Sequence, residues 1–78
     1  MNEKELLEHY LPYATFVVDH FESLEDIKKS ELMKVAVEGV MYALKTREAH
    51  MDCLDDYVVV MIREVLQTYV AFVLDTRR

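Results

Sequence analysis

Residues 30–45 read SELMKVAVEGVMYALK, a pattern that predicts a helix with almost no polar face. On a period of 3.6 residues its charged side chains fall on one stripe roughly 60–80° wide. That stripe comprises Glu31, Lys34, Glu38 and Lys45, and the rest is apolar: Leu32, Met33, Val35, Ala36, Val37, Val40, Met41, Tyr42, Ala43 and Leu44. A helix that is apolar on nearly every side is buried on nearly every side, so we expect this one at the centre of a bundle.

The chain is short for the amount of apolar surface that it carries. It has 78 residues, of which 53% are hydrophobic. A single domain of this size buries only about 60% of the surface that its unfolded chain exposes. The apolar surface that one chain cannot bury predicts self-association, and a two-fold homodimer is the commonest soluble assembly.

A first helix is predicted over residues 3–22. Asn2 followed by Glu5 resembles a capping box at its start. The apolar residues keep their helical phase through Pro12, although proline removes a hydrogen bond and clashes with the preceding turn. Two alternatives remain, one kinked helix or two helices that meet near Pro12, and the unbroken phase favours the kinked helix.

Two further helices follow, over residues 31–46 and 52–75, with Ser30 as the predicted N-cap of the first. The run YVVVMI has strand propensity, but the surrounding apolar positions repeat with a period of 3.6 and predict a helix. Those positions are Leu54, Val58, Met61, Val65, Tyr69 and Phe72, and Val59, Val60, Val70 and Leu74 lie outside their arc. The third helix therefore has more apolar surface than one contact within the chain requires.

The predicted fold is all-α: one domain, residues 1–78, forming a three-helix antiparallel bundle that is kinked at Pro12 and completed by homodimerisation.

Gly39 lies in mid-helix, where glycine costs roughly 1 kcal/mol relative to alanine, so either another helix crosses closely there or the glycine is accidental. The crossing helix is the third helix or its symmetry mate. The predicted dimer-interface residues are Ala36, Gly39, Met41, Ala43, Val59 and Val70.

Phe16 is unusual because it falls on the polar side of the first helix. With Pro12, Tyr13 and His20 it forms a predicted partner-binding patch, since residues three or four apart are neighbours on a helix. Aromatic side chains are frequent anchors of protein interfaces. Three alternatives remain: a kink at Pro12 turns Phe16 into the core, it contacts a second copy, or it binds a different protein.

Charge narrows the classes of partner. Fifteen acidic and nine basic residues give a net charge of −6, which disfavours direct contact with nucleic acid or an anionic membrane and permits a partner with a basic surface. Glu3, Glu5 and Glu8 stand where a signal peptide would carry positive charge, so no signal peptide is expected. Arg63, Glu64 and Gln67 interrupt the apolar run from Tyr57 to Leu74. A cytoplasmic protein that does not span a membrane is expected.

The sequence contains no pattern typical of catalysis or of a cofactor. His50 and Cys53 are ligand-type residues, but no second pair accompanies them, so no metal is expected. Glu-x-x-His pairs, glycine-rich phosphate loops and nucleophile motifs are also missing. We therefore expect no enzyme activity, no cofactor and no catalytic residue.

The function expected by elimination is that of a small acidic cytoplasmic regulatory or adaptor protein that acts by binding another protein. Two alternatives remain. One is a structural subunit of a homo-oligomer, and the other is a helical bundle that binds a small molecule among its methionines and tyrosines.

Overall fold

A computed structural model describes residues 2–21 and 27–76, and of His50 it describes the backbone alone. Three α-helices occupy most of this length: α1 (Glu3–Asp19), α2 (Lys29–Lys45) and α3 (Leu54–Thr76). A 3-10 helix, Arg47–Cys53, joins α2 to α3. The described residues contain no β-strand, so the prediction of an all-α fold is confirmed.

The start of α1 follows the sequence pattern. The backbone N–H of Glu5 donates to Asn2 Oδ1 at 2.8 Å, which is the expected N-cap bond. The return contact joins the side-chain amide of Asn2 to Glu5 Oε1 at 3.4 Å, instead of using the backbone N–H of a full capping box. The helix runs through Pro12 without a break, so the alternative of two separate helices is not observed.

The ends that face the α1–α2 connection differ from the prediction. α1 ends at Asp19, before the predicted residue 22, and Glu22 lies outside the described residues. The N-cap of α2 is Lys28, so the prediction of Ser30 is wrong. Ile27 is buried just before the helix, and its burial is worth roughly 1.5–3 kcal/mol, more than the roughly 1 kcal/mol of a serine cap.

The connection between α2 and α3 also differs, because the third helix begins at Leu54 and not near Asp52. Arg47 closes the end of α2 by donating from Nη1 to the carbonyl oxygen of Leu44 at 2.7 Å. The hydroxyl groups of Thr46 and Tyr57 lie 2.6 Å apart and join the end of α2 to the first turn of α3. The Arg47 bond satisfies a carbonyl group that the last turn of α2 leaves without a partner within the helix.

The contacts between helices define an up-down-up arrangement. Thr46 meets Tyr57 and Glu31 accepts a hydrogen bond from Tyr69, so residue numbers rise along α2 as they fall along α3. Tyr10 meets Asp55 near the start of both α1 and α3, so these two helices run parallel. The core between the three helices comprises Tyr10, Ala14, Val17, Val18, Ile27, Leu32, Ala36, Val40, Ala43, Leu44, Val58, Ile62 and Leu66.

Gly39 is the point of closest approach between α2 and α3. A Cβ atom built on Gly39 would lie 2.7 Å from Val65 Cγ2 and 3.2 Å from the backbone Cα of Ile62. Both distances are shorter than ordinary carbon–carbon contacts of about 3.5–4.0 Å. Of the two sequence interpretations, the structure shows close crossing by the chain's own third helix.

Gly39→Ala is therefore expected to lower the free energy of unfolding by about 1 kcal/mol. Overpacking at the crossing costs roughly 1–3 kcal/mol and exceeds the gain of about 1 kcal/mol in helix propensity. Urea unfolding followed by circular dichroism measures the difference, with exposed Glu38→Ala on the same helix as the control. An increase in stability for Gly39→Ala would show that α2 and α3 can separate there without cost.

A buried tyrosine joins α1 to the start of α3. The hydroxyl of Tyr10 donates to Asp55 Oδ1 at 2.6 Å, and that of Tyr13 donates to Oδ2 at 3.4 Å. Burial of Tyr10 raises its pKa above the ordinary value of 10.0, and the hydrogen bond to Asp55 raises it further. The protonated phenol is thus the form that stabilises the fold.

The free energy of unfolding is expected to fall as the pH rises above about 10, because the unfolded chain then loses a proton that folded Tyr10 retains. Tyr10→Phe should weaken this alkaline dependence and cost about 1.5–3 kcal/mol near neutral pH, since a hydrogen bond to a charged acceptor is lost. Urea unfolding between pH 8 and pH 11 measures both effects. The control is Tyr42→Phe, which changes an exposed tyrosine. An equal change in the free energy of unfolding for this variant would contradict the attribution of the alkaline dependence to Tyr10.

Candidate functional site

An open groove lies between α1 and α3, and we call it the α1–α3 groove. Its volume is about 610 Å³. It is lined by Phe16, Val17, His20, Phe21, Val59, Arg63 and Gln67. The lining contains one cation, Arg63, and no carboxylate.

Phe16 lies on the edge of this groove and points outward. Its side chain is 63% exposed, so the alternative in which it turns into the core does not hold. Its ring packs against the imidazole of His20 with the centroids 4.3 Å apart. His20 Nδ1 lies 2.9 Å from the carbonyl oxygen of Phe16, which fixes the imidazole next to the phenyl ring.

The structure divides the predicted partner-binding patch. Pro12, Phe16 and His20 are exposed, whereas Tyr13 is half-buried with its ring 5.0 Å from that of Tyr10. Asp55 on α3 attracts the Tyr13 hydroxyl, and a single-helix pattern contains no information about that partner. The outward aromatic pair is therefore Phe16 with His20.

A second groove, the α2–α3 groove, lies between the other pair of helices and has a volume of about 470 Å³. It is lined by Val35, Glu38, Met61, Glu64, Val65, Thr68, Tyr69 and Phe72. Both carboxylates are exposed, and the described lining contains no lysine or arginine. This groove is apolar and acidic.

Sequence reasoning missed the α2–α3 groove. It placed Met61, Val65 and Phe72 on the core face of the third helix, yet Phe72 is 63% exposed and the other two are only half-buried. The core face of α3 is centred on Val58, Ile62 and Leu66. The sequence pattern shows the apolar arc, but the packing of α1 and α2 on α3 decides which part of it is covered.

The predicted dimer-interface residues fall into two groups. Ala36, Gly39 and Ala43 are buried within the chain itself and are not on the surface. The chain's own α3 supplies the close crossing at Gly39, and the dimer contact expected for these residues stays a prediction. Met41 is 44% exposed, and Val59 and Val70 are half-buried on α3.

Much of the apolar surface of the third helix faces outward. The segment Met51–Thr76 is long and apolar enough to cross a membrane by length and composition, and only 22% of its most apolar window is buried. The core helix of a soluble bundle can have the same length and composition, but most of its surface is then buried. What distinguishes this helix is how little of it the chain covers.

The described part of the chain has few side chains arranged to bind a metal or to react. There, no three or more histidine, cysteine, aspartate or glutamate side chains are grouped to hold a metal ion. Cys53 is a free, exposed thiol. The features that stand out are the two grooves.

No protein-family model, curated protein or solved structure matches this chain. The surface of the chain itself is therefore the basis for its proposed function.

Phe16→Ala is expected to change the free energy of unfolding by no more than about 0.5 kcal/mol, because substitutions of exposed side chains have small effects on stability. Thermal unfolding by circular dichroism tests this, with core Val17→Ala as the contrasting variant. Val17→Ala should be clearly destabilised, since its side chain is buried. A loss above about 2 kcal/mol for Phe16→Ala would mean that its ring packs in a core.

Proposed function

We propose that this chain is a small acidic regulatory or adaptor protein of the cytoplasm, which works by binding another protein and not by catalysis. The observation that carries the proposal is the α2–α3 groove, which combines an apolar floor with a carboxylate on each wall. The proposal includes self-association and a kink in α1 at Pro12, as the sequence pattern predicts.

The shape of the groove suits a helix from the partner. Met61 and Phe72, at its two ends, are eleven residues apart on α3, which corresponds to about 16 Å or three helical turns. An amphipathic helix recognises such a groove by inserting apolar side chains from successive turns. Val35 and Val65 line the groove between those ends.

Charge indicates what should flank the apolar side chains of the partner. Glu38 projects from α2 and Glu64 from α3, with no described cation among the lining residues. Glu31 is nearby and accepts a hydrogen bond from Tyr69 in the same groove at 3.2 Å. Lysine or arginine beside the apolar stripe of the partner would therefore be favoured, which agrees with a partner that has a basic surface.

Two designed helical peptides of about 18 residues test the proposal. Both carry the same leucine stripe, flanked by lysine in one and by glutamate in the other. Fluorescence anisotropy should show that the chain binds the lysine peptide at least about tenfold more tightly. Phe72→Ala should weaken this binding about tenfold, since an exposed aromatic anchor is lost.

Charge reversal provides the matched control. In the double variant Glu38→Lys, Glu64→Lys the preference should invert and favour the glutamate peptide, whereas Phe16→Ala, outside this groove, should leave both affinities unchanged. Absence of binding, or equal affinity of both peptides for the wild-type chain, would contradict the proposed function of this groove.

A further inference from the structure

The sequence of α3 is self-complementary around a pair of adjacent valines, Val59 and Val60. Asp56 and Arg63 are seven residues apart, so they lie on the same face of the helix about 10 Å from one another along its axis. Val59 and Val60 lie midway between them. Val60 is 49% exposed, and Val59 is half-buried in the wall of the α1–α3 groove.

Neither charged residue has an ion-pair partner within the described chain. The ion pair in the described part of the chain joins Lys29, at the start of α2, to Asp19, at the end of α1. Asp56 and Arg63 are both exposed, and two helical turns separate them, too far for direct contact. Each is thus available to a charge on another molecule.

We infer that a second copy of this chain docks on α3, antiparallel and related by a two-fold axis that passes between Val59 and Val60. In this arrangement Asp56 of each copy faces Arg63 of the other, and the two valine pairs meet at the centre. This inference rests on the self-association within the proposed function, and it specifies which face associates and in which register.

Charge favours this face over the other groove for a second copy. Two-fold association through the α2–α3 groove would bring Glu38 and Glu64 of one copy towards the same carboxylates of the other. The Val59–Val60 face instead has Asp56 at one end and Arg63 at the other. A two-fold axis between the valines therefore creates two pairs of opposite charge. Phe16 lies beside this face in the α1–α3 groove and extends the apolar surface that the second copy would cover.

Reversal of single charges, with sedimentation equilibrium as the measurement, tests the inference. The wild-type chain should dimerise. Asp56→Arg and Arg63→Asp should each raise the dimer dissociation constant about tenfold or more, since each replaces two attractive pairs by two repulsive ones. The double variant Asp56→Arg, Arg63→Asp should return to within about threefold of the wild-type value, because both pairs reform in reverse.

Net charge alone would give a different result. Asp56→Arg makes the chain two charge units less negative, so if general repulsion controlled association it would tighten the dimer. Glu38→Arg causes the same change outside this face and is the matched control. Val60→Asp, at the centre, should yield a monomer, and circular dichroism confirms that every variant is folded.

The outcomes separate the inference from the proposal that it rests on. A wild-type chain that stays monomeric up to about 1 mM overturns both the face and self-association. A dimer that is insensitive to Asp56→Arg and Arg63→Asp, or that the double variant fails to restore, overturns this face while self-association stands. A dimer that Glu38→Arg tightens markedly more than Asp56→Arg does would assign the second copy to the α2–α3 groove and overturn the inference.

Discussion

The close crossing of α2 and α3 at Gly39 is the constraint on which the remaining structure depends. Because the residue lacks a Cβ, the backbone of Ile62 can approach α2 directly, and Ile62 and Val58 are then completely enclosed. This contact fixes the separation of the two helices. It also fixes which apolar side chains remain outside: with α2 close to one side of α3, the residues on either flank of the contact form the walls of the two grooves.

The two grooves differ in charge although they share α3. The α1–α3 groove contains Arg63 and no carboxylate, whereas the α2–α3 groove contains Glu38 and Glu64 and no described cation. This difference in charge separates self-association from the binding of another protein. An acidic chain repels its own copies except where a face balances its charges, while an acidic groove attracts a basic partner. A strongly acidic composition is therefore compatible with both self-association and binding of another protein.

The helices, their order and the cap at Asn2 could be predicted from the sequence because they depend on periodicity and local hydrogen bonds. The start of α2 could not, because the burial of Ile27 is a tertiary contact that outweighs the preference for a serine cap. Tyr13 was assigned to an exposed patch for a similar reason: its partner, Asp55, is 42 residues away. The α2–α3 groove was hidden within an apolar arc that looked like core, and only the packing of both α1 and α2 on α3 distinguishes covered from open residues.

A common wall has a thermodynamic consequence. α3 is a single helix of 23 residues, and it borders both grooves. If a molecule bound on one side displaces this helix, the cleft on the other side changes shape, and binding at the two clefts is then linked. Linkage of this kind is reciprocal. If the first ligand changes the binding free energy of the second, the second changes the binding free energy of the first by the same amount. Such linkage would make the affinity of the chain for one molecule depend on whether another is bound.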